Sequence, residues 1–271
     1  MPELPEVETT RRGLAPRLVG RVVTAVAIRD RRLRWPVPED LGQRLVGREV
    51  RAVGRRAKYL LIAAGDGTLL LHLGMSGSLR VVPADTAPRP HDHLDVVLDD
   101  GHLLRLHDPR RFGAALWVDG DPLHHPLLAR LGPEPLEPGF DGTVLHAAAL
   151  TRRAPVKCLL MDAHVVVGVG NIYASEALHL AGIHPTRPAR RVGAERYARL
   201  AGAVRSVLSA AIDARGTTLR DYVDERGAAG EFSARLKVYG RAGQPCEECA
   251  TPIRSRVVAQ RSTFFCPRCQ R

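Results

Sequence analysis

The spacing of apolar positions changes once along the chain. Between residues 21 and 118, β-branched and aliphatic runs such as Val22 to Ile28 and Tyr59 to Ile62 are separated by tight-turn sequences, Gly65-Asp66-Gly67 and Asp99-Asp100-Gly101 among them. This texture predicts an antiparallel sandwich or barrel. Before it, Leu4, Val7 and Leu14 share one helical face, Pro5 suits a first helical turn, and Glu6 and Glu8 favour the positive end of a helix dipole. A short helix should therefore open the chain. Pro133, Pro135, Pro138, Gly139 and Gly142 crowd a stretch of little periodicity, a linker after which Ala-rich helical patterns begin near Val144. One helix starts at Asn171, and a long one runs from about Glu195 to Ala214 with Gly216 as its stop. The pattern reads as an α+β multidomain chain. An N-terminal antiparallel β-sandwich with flanking helices is expected over residues 1–130, a linker over 131–143, a helical domain over 144–236 and a small C-terminal domain over 237–271.

Composition adds a partner. With 271 residues and 45% hydrophobic content the chain can fill two cores. Forty Lys+Arg against twenty-nine Asp+Glu leave +11, with a pI near 10.2, which points to a polyanion and above all to nucleic acid. There is no apolar run long enough for a membrane span and no signal-peptide pattern, so the expectation is a cytoplasmic protein without membrane contact. Almost every basic residue is Arg; only Lys58, Lys157 and Lys237 are lysines. A lysine kept where Arg is the default marks a place for a compact, titratable ammonium. Lys58, in Arg55-Arg56-Ala57-Lys58-Tyr59, is the first candidate.

Chemistry concentrates at the two ends. Removal of Met1 makes Pro2 the N-terminus and sets the Glu3 carboxylate beside its amine. An α-amino group titrates near pH 8, so roughly a tenth is unprotonated at neutrality, far more than for a lysine amine. Attack on a sugar C1′ or a carbonyl gives an iminium, and Glu3 is placed to move protons. An ordinary helix start explains the same residues without chemistry. At the other end, Cys246-x2-Cys249-x16-Cys266-x2-Cys269 offers two close thiolate pairs for one tetrahedral zinc. Two disulfides are the alternative, disfavoured in an intracellular chain whose Cys158 is unpaired. Val257 and Val258, then Phe264 and Phe265, read as two strands with Arg261 near the tip, either solvated or against phosphate. Gly168-Val169-Gly170 before Asn171 leaves helix N–H groups and a capping Asn side chain for an anion, or for nothing. His91-Asp92-His93 resembles a metal motif, but no further ligand cluster supports it. Met75 and Phe112, taken alone, read as strand core.

Together these segments resemble one family, the bacterial formamidopyrimidine-DNA (8-oxoguanine-DNA) glycosylases of base-excision repair. The resemblance runs end to end through Pro2-Glu3-Leu4-Pro5-Glu6-Val7-Glu8-Thr9, Arg55-Arg56-Ala57-Lys58-Tyr59-Leu60, His72-Leu73-Gly74-Met75-Ser76-Gly77, Asp108-Pro109-Arg110-Arg111-Phe112-Gly113, Val169-Gly170-Asn171-Ile172-Tyr173-Ala174-Ser175-Glu176 and the four cysteines. It implies a helix-two-turn-helix domain and a zinc-finger hairpin holding one structural zinc. It further implies a monomer that works in the bacterial cytoplasm and nucleoid on double-stranded DNA containing damaged bases. Pro2 would be the nucleophile, Glu3 the proton shuttle, Lys58 the proton donor for β-elimination and Arg261 the residue for δ-elimination. Met75, Arg110 and Phe112 would fill the gap left by a flipped base. The family further implies DNA contacts at His91, Arg110 and Arg152, with His72, Lys157, Asn171 and Tyr239 as phosphate or backbone neighbours.

Two other readings compete, an endonuclease VIII-like glycosylase for oxidised pyrimidines and a non-catalytic zinc-finger DNA-binding protein. Leu4 and the intact Met75, Arg110 and Phe112 set favour the purine branch; intact Pro2, Glu3 and Lys58 argue against a dead binder. One segment departs from the family. Its lesion-recognition loop is Gly-rich and often ends Gly-Tyr-Phe, whereas this chain reads Arg226-Gly227-Ala228-Ala229-Gly230-Glu231-Phe232, so lesion preference does not carry over.

Overall fold

A computed structural model describes residues 2–217 and 230–271. Residues 218–229, which hold most of the departing loop, lie outside the described residues. The chain forms two compact units, Met1–Ala129 with Ala214–Glu231, and Arg130–Asp213 with Phe232–Arg271.

In the first unit α1 (Leu4–Leu18) and β1 (Val23–Ile28) precede the short α2 (Leu41–Leu45). Seven strands follow: β2 (Val50–Arg56), β3 (Tyr59–Ala64), β4 (Gly67–His72), β5 (Ser78–Pro83), β6 (Asp92–Leu98), β7 (His102–His107) and β8 (Ala114–Asp119). With β1 they make two four-stranded antiparallel sheets, ordered β1-β6-β7-β5 and β2-β3-β4-β8. Period-2 alternation explains the sandwich: Leu60 and Ile62 of one sheet and Leu94, Val96, Leu104 and Leu106 of the other meet in one core, which also takes Val7, Leu14 and Leu18 of α1. The turns fall where Gly permits them, with Gly65 and Gly101 in the left-handed region.

The second unit carries α3 (Gly142–Ala149), α4 (Val156–Leu160), α5 (Asn171–Leu180), α6 (Ala194–Asp213), β9 (Arg254–Val258) and β10 (Arg261–Phe265). Asp141 caps α3 by accepting from the N–H groups of Thr143 and Val144 at 2.8 and 3.0 Å. Helix α6 buries Tyr197, Leu200, Ala201, Val204, Leu208 and Ala211 at helical spacing. It stops one residue before the sequence pattern ends, ahead of Arg215 and Gly216, which both take positive φ. The β9–β10 hairpin pairs Arg261 with Val258. Among the described residues its buried cluster is Val238, Cys246, Ile253 and Cys266, with Cys249, Phe264 and Cys269 packed against it, too little apolar area to hold a hairpin without a staple. Among the described residues no helix is long and apolar enough to cross a membrane.

Candidate active site

In the first unit Pro2 is buried at the entrance to α1, and Glu3 beside it is 3% exposed. Glu6, one helical turn on, holds this end in place. Its Oε2 accepts the backbone N–H of Glu3 at 2.8 Å, and its Oε1 accepts that of Thr217 at 2.8 Å. Thr217 in turn bridges Glu231, and a Cβ on Gly230 would lie 2.3 Å from the Gly216 carbonyl oxygen, so only glycine lets these segments touch.

Lys58 sits in the two-residue turn between β2 and β3, where Ala57 has a φ of 54°. A non-glycine residue held there is strained and needs support. Support comes from Arg55, whose guanidinium donates to the Ala57 carbonyl at 2.9 Å and to Glu8 at 3.1 Å. Burial pushes the Glu8 carboxyl up, but hydrogen bonds from Arg11, Arg12 and Arg55 outweigh it and hold its pKa down at about 2. The lysine turn is thus fastened to α1 through a carboxylate that stays ionised.

His72, at the end of β4, pairs with Tyr59 across the strands, with ring centroids 4.8 Å apart. Burial and the charges of Lys58 and Arg34 push its pKa down to about 4. Its Nδ1 accepts the N–H of Gly74 at 3.0 Å, so the neutral ring carries its proton on Nε2 and presents a donor. Gly74 has φ +60°, and a Cβ there would meet the Phe112 backbone at 2.5 Å. This approach brings Met75 and Phe112 onto neighbouring loops. Both are exposed, 38% and 45%, which corrects the reading of them as strand core. The Arg110 guanidinium lies 5.0 Å from the Phe112 ring. Asp108, fully buried, ties the two loops together: its carboxylate accepts from Ser76 Oγ at 3.1 Å and from Gly113 N–H at 2.8 Å. His91 is exposed at φ 75°, and its carbonyl accepts the Asp108 N–H.

In the second unit the Arg152 guanidinium donates to Asp162 at 2.6 Å and remains partly exposed. Lys157 is 1% exposed. Its ammonium donates to Asn171 Oδ1 at 2.5 Å, to Thr263 Oγ1 at 2.7 Å and to the Ser262 carbonyl at 3.4 Å. All three N–H directions therefore end on protein groups, and Lys157 holds Asn171. Asn171 is not the cap of α5; Gly170 takes that position without a side-chain bond. Its amide instead donates to Tyr239 Oη at 3.3 Å and to the Ser262 carbonyl at 3.0 Å. Sequence reasoning assigns no role to Glu176, whose buried carboxylate collects the N–H groups of Lys237, Val238 and Tyr239 at 2.8, 3.0 and 2.8 Å. Three successive donors on one carboxylate fix the backbone of Tyr239.

Arg261 opens β10 beside the turn residues Ala259 and Gln260, and its side chain is exposed. The four cysteine sulfurs lie within 4.8 Å of one another, with Cys246 to Cys269 at 3.9 Å and Cys249 to Cys266 at 3.5 Å. A disulfide needs about 2 Å, while tetrahedral ligands at about 2.3 Å from zinc stand about 3.8 Å apart. The donor set fits one zinc, closed by four thiolates and so structural.

Three stretches match domains of one family: residues 1–115 its N-terminal domain, 131–223 its H2TH domain, and 243–271 a zinc finger found also in isoleucyl-tRNA synthetases. The formamidopyrimidine-DNA glycosylases of Syntrophotalea carbinolica and Halorhodospira halophila are 60% and 61% identical to it, each over the whole of both chains. Among solved structures, MutM (Fpg) of Thermus thermophilus superposes with a TM-score of 0.89 at 44% identity, covering 99% of this chain and 98% of that one. Lactococcus lactis Fpg in complex with DNA containing an abasic site gives 0.92 at 33% identity, covering 99% of both. The chain belongs to the formamidopyrimidine-DNA glycosylase family.

Proposed function

We propose that this chain is a bifunctional base-excision-repair enzyme that removes oxidised purines, 8-oxoguanine and formamidopyrimidines, from duplex DNA and then cuts the strand. The observation that supports it most directly is the buried Glu3 directly after Pro2, with its backbone N–H held by the Glu6 carboxylate. The relatives' shared name favours the purine branch over an endonuclease VIII-like activity.

The damaged nucleotide leaves the stack at a cost of a few kcal/mol. Met75 and Phe112 wedge into the gap, and Arg110 hydrogen-bonds the orphaned cytosine. Loss of Met1 frees the secondary amine of Pro2, whose lone pair attacks C1′ as the C1′–N9 bond breaks and the departing base takes a proton. Glu3 protonates the ring oxygen, the sugar opens, and a C1′ iminium remains. This electron sink acidifies C2′–H. Loss of that proton expels the 3′ phosphate, and a further loss from C4′ expels the 5′ phosphate. Lys58 serves the first elimination and Arg261 the second. Residues 1–130 carry base excision and the first elimination, residues 144–236 hold the duplex, and the zinc finger at 237–271 holds it too and supplies Arg261. His72, as a neutral donor, joins His91, Arg152, Asn171 and Tyr239 along the DNA backbone, and Lys157 acts by fixing Asn171. The zinc orders the hairpin that presents Arg261. The enzyme acts as a single chain, in the cytoplasm on nucleoid DNA.

Lys58→Arg and Arg261→Ala test the division of labour. Lys58→Arg keeps charge but loses a compact ammonium able to give up its proton, so strand cutting at saturating enzyme should fall well below the parental rate. Arg261→Ala should accumulate the β-elimination end, which migrates apart from the β,δ product on a gel. Parental rates and product ratios in both variants would reduce the two residues to phosphate contacts.

A further inference from the structure

The first unit holds a polar cavity, of about 470 Å³, whose walls include Ser78, Arg80, Arg89, His107 and Arg110. Pairing of β5 with β7 sets Ser78 opposite His107 and Arg80 opposite Arg105. Alternation along each strand turns Ser78 and Arg80 to one face. Two arginines directly opposite on neighbouring strands repel, so each needs an anion.

Arg105 has two. Its guanidinium donates to both Asp95 oxygens, at 2.9 and 2.8 Å, and lies 3.6 Å from Asp92. Asp92 also engages the His107 ring at 2.9 Å, and both carboxylates are buried. Arg80 has none. Its Nε is shielded from solvent and makes no hydrogen bond, and among the described residues no carboxylate pairs with it. Arg89 is exposed and its side chain is likewise unpaired; its backbone N–H donates to Asp92 at 2.7 Å, which fixes the point from which the side chain extends. Arg110 completes the rim. The carboxylates below are already engaged by Arg105 and His107, so three guanidinium groups border the cavity and, among the described residues, no carboxylate lines it. Leaving a shielded guanidinium donor unsatisfied is costly, and the forked geometry of Arg matches a tetrahedral oxyanion.

We propose that this cavity is an anion site that takes a phosphate-class oxyanion on Arg80 and Arg89, in the working enzyme a backbone phosphodiester of the strand that Arg110 approaches. The choice of a phosphodiester rests on the repair function proposed above; the oxyanion chemistry does not. Such a contact would set the register of Arg110 without reading any base.

The test uses Arg80→Gln and Arg89→Gln, singly and together, on a duplex carrying an uncleavable lesion analogue. Each lost phosphate contact removes about 0.9 from the log–log salt slope of binding, and because both arginines hold one phosphate the double variant should be shallower by about 0.9. A neutral methylphosphonate moved one linkage at a time along both strands should weaken the parental protein about tenfold at one linkage to which the double variant is indifferent. Inorganic phosphate titrated into DNA-free protein, followed by 31P line width, reads the other source. Binding by the parental protein and not by the double variant, with an unchanged DNA slope, would uphold the oxyanion site and assign it to a free phosphate. Arg89→Gln removes an exposed, unpaired side chain and should unfold at the parental temperature, which keeps the test independent of any folding defect in Arg80→Gln. If neither the slope, the linkage scan nor the phosphate titration separates the variants from the parent, the cavity is not an anion site. A parental protein with no preference for the lesion duplex would overturn the repair function instead, leaving the phosphate titration to decide the cavity.

Discussion

The Glu6 carboxylate reaches a residue 211 positions away, accepting the backbone N–H of Thr217 through Oε1 at 2.8 Å, while its other oxygen accepts the N–H of Glu3. One buried side chain therefore fixes both the start of the chain and the segment leading into residues 218–229. Each oxygen holds a backbone N–H, which makes Glu6 a positioning residue.

Glu6→Gln exchanges one acceptor for an NH2 that faces a backbone donor. The unsatisfied N–H costs about 1–3 kcal/mol and displaces either Glu3 or Thr217. Base excision in single turnover at saturating enzyme should slow about tenfold or more, while affinity for undamaged duplex changes little. A parental excision rate would show that the anchoring of Glu3 and Thr217 is irrelevant to the reaction.

Zinc removal reaches the DNA through the hairpin alone. Its core of four buried residues does not hold β9 and β10 by itself, whereas structural zinc sites contribute about 10–16 kcal/mol of apparent binding energy. Metal analysis should find one zinc per chain, and Cys249→Ser should lose it together with most DNA affinity. Zinc-free protein that binds duplex with parental affinity contradicts this.

Because the His72 pKa falls from 6.5 in the unfolded chain to about 4 in the fold, the neutral ring contributes stability that is complete above pH 6.5 and is lost as pH falls toward 4. The full contribution is about 3 kcal/mol. Denaturant unfolding at pH 7 and pH 4.5 should show that loss in the parental protein and much less of it in His72→Gln. Proton NMR of the ring should place its midpoint near 4. A midpoint near 6.5 would remove the neutral-donor role.

The features legible in the sequence are those with a local code. Gly65 and Gly101 turn adjacent strands, the periodic apolar face of α6 predicts a helix within a residue of its observed end, and the paired cysteines announce a tetrahedral site. Side chains whose partners lie far along the chain are not legible in this way. Asn171 follows a glycine as a cap would, but its amide bonds Tyr239 and Ser262, which local spacing does not bring near. Met75 and Phe112 look like core until Gly74 is seen packed on the Phe112 backbone. Asp108 stands inside a recognised motif, yet its role depends on Ser76 from another loop. The juxtaposition of Arg80 with Arg105 follows from strand register, which alternation alone does not set.

The central claim is that the amine of Pro2, freed by loss of Met1 and served by Glu3, attacks the sugar of the damaged nucleotide. Borohydride added during reaction with 8-oxoguanine opposite cytosine reduces an iminium to a stable amine and so records that bond. Peptide mapping should find the DNA on Pro2, and a protein with one residue added before Pro2 should give no adduct. A parental adduct yield from the extended protein, or a cross-link on a lysine, would contradict the account.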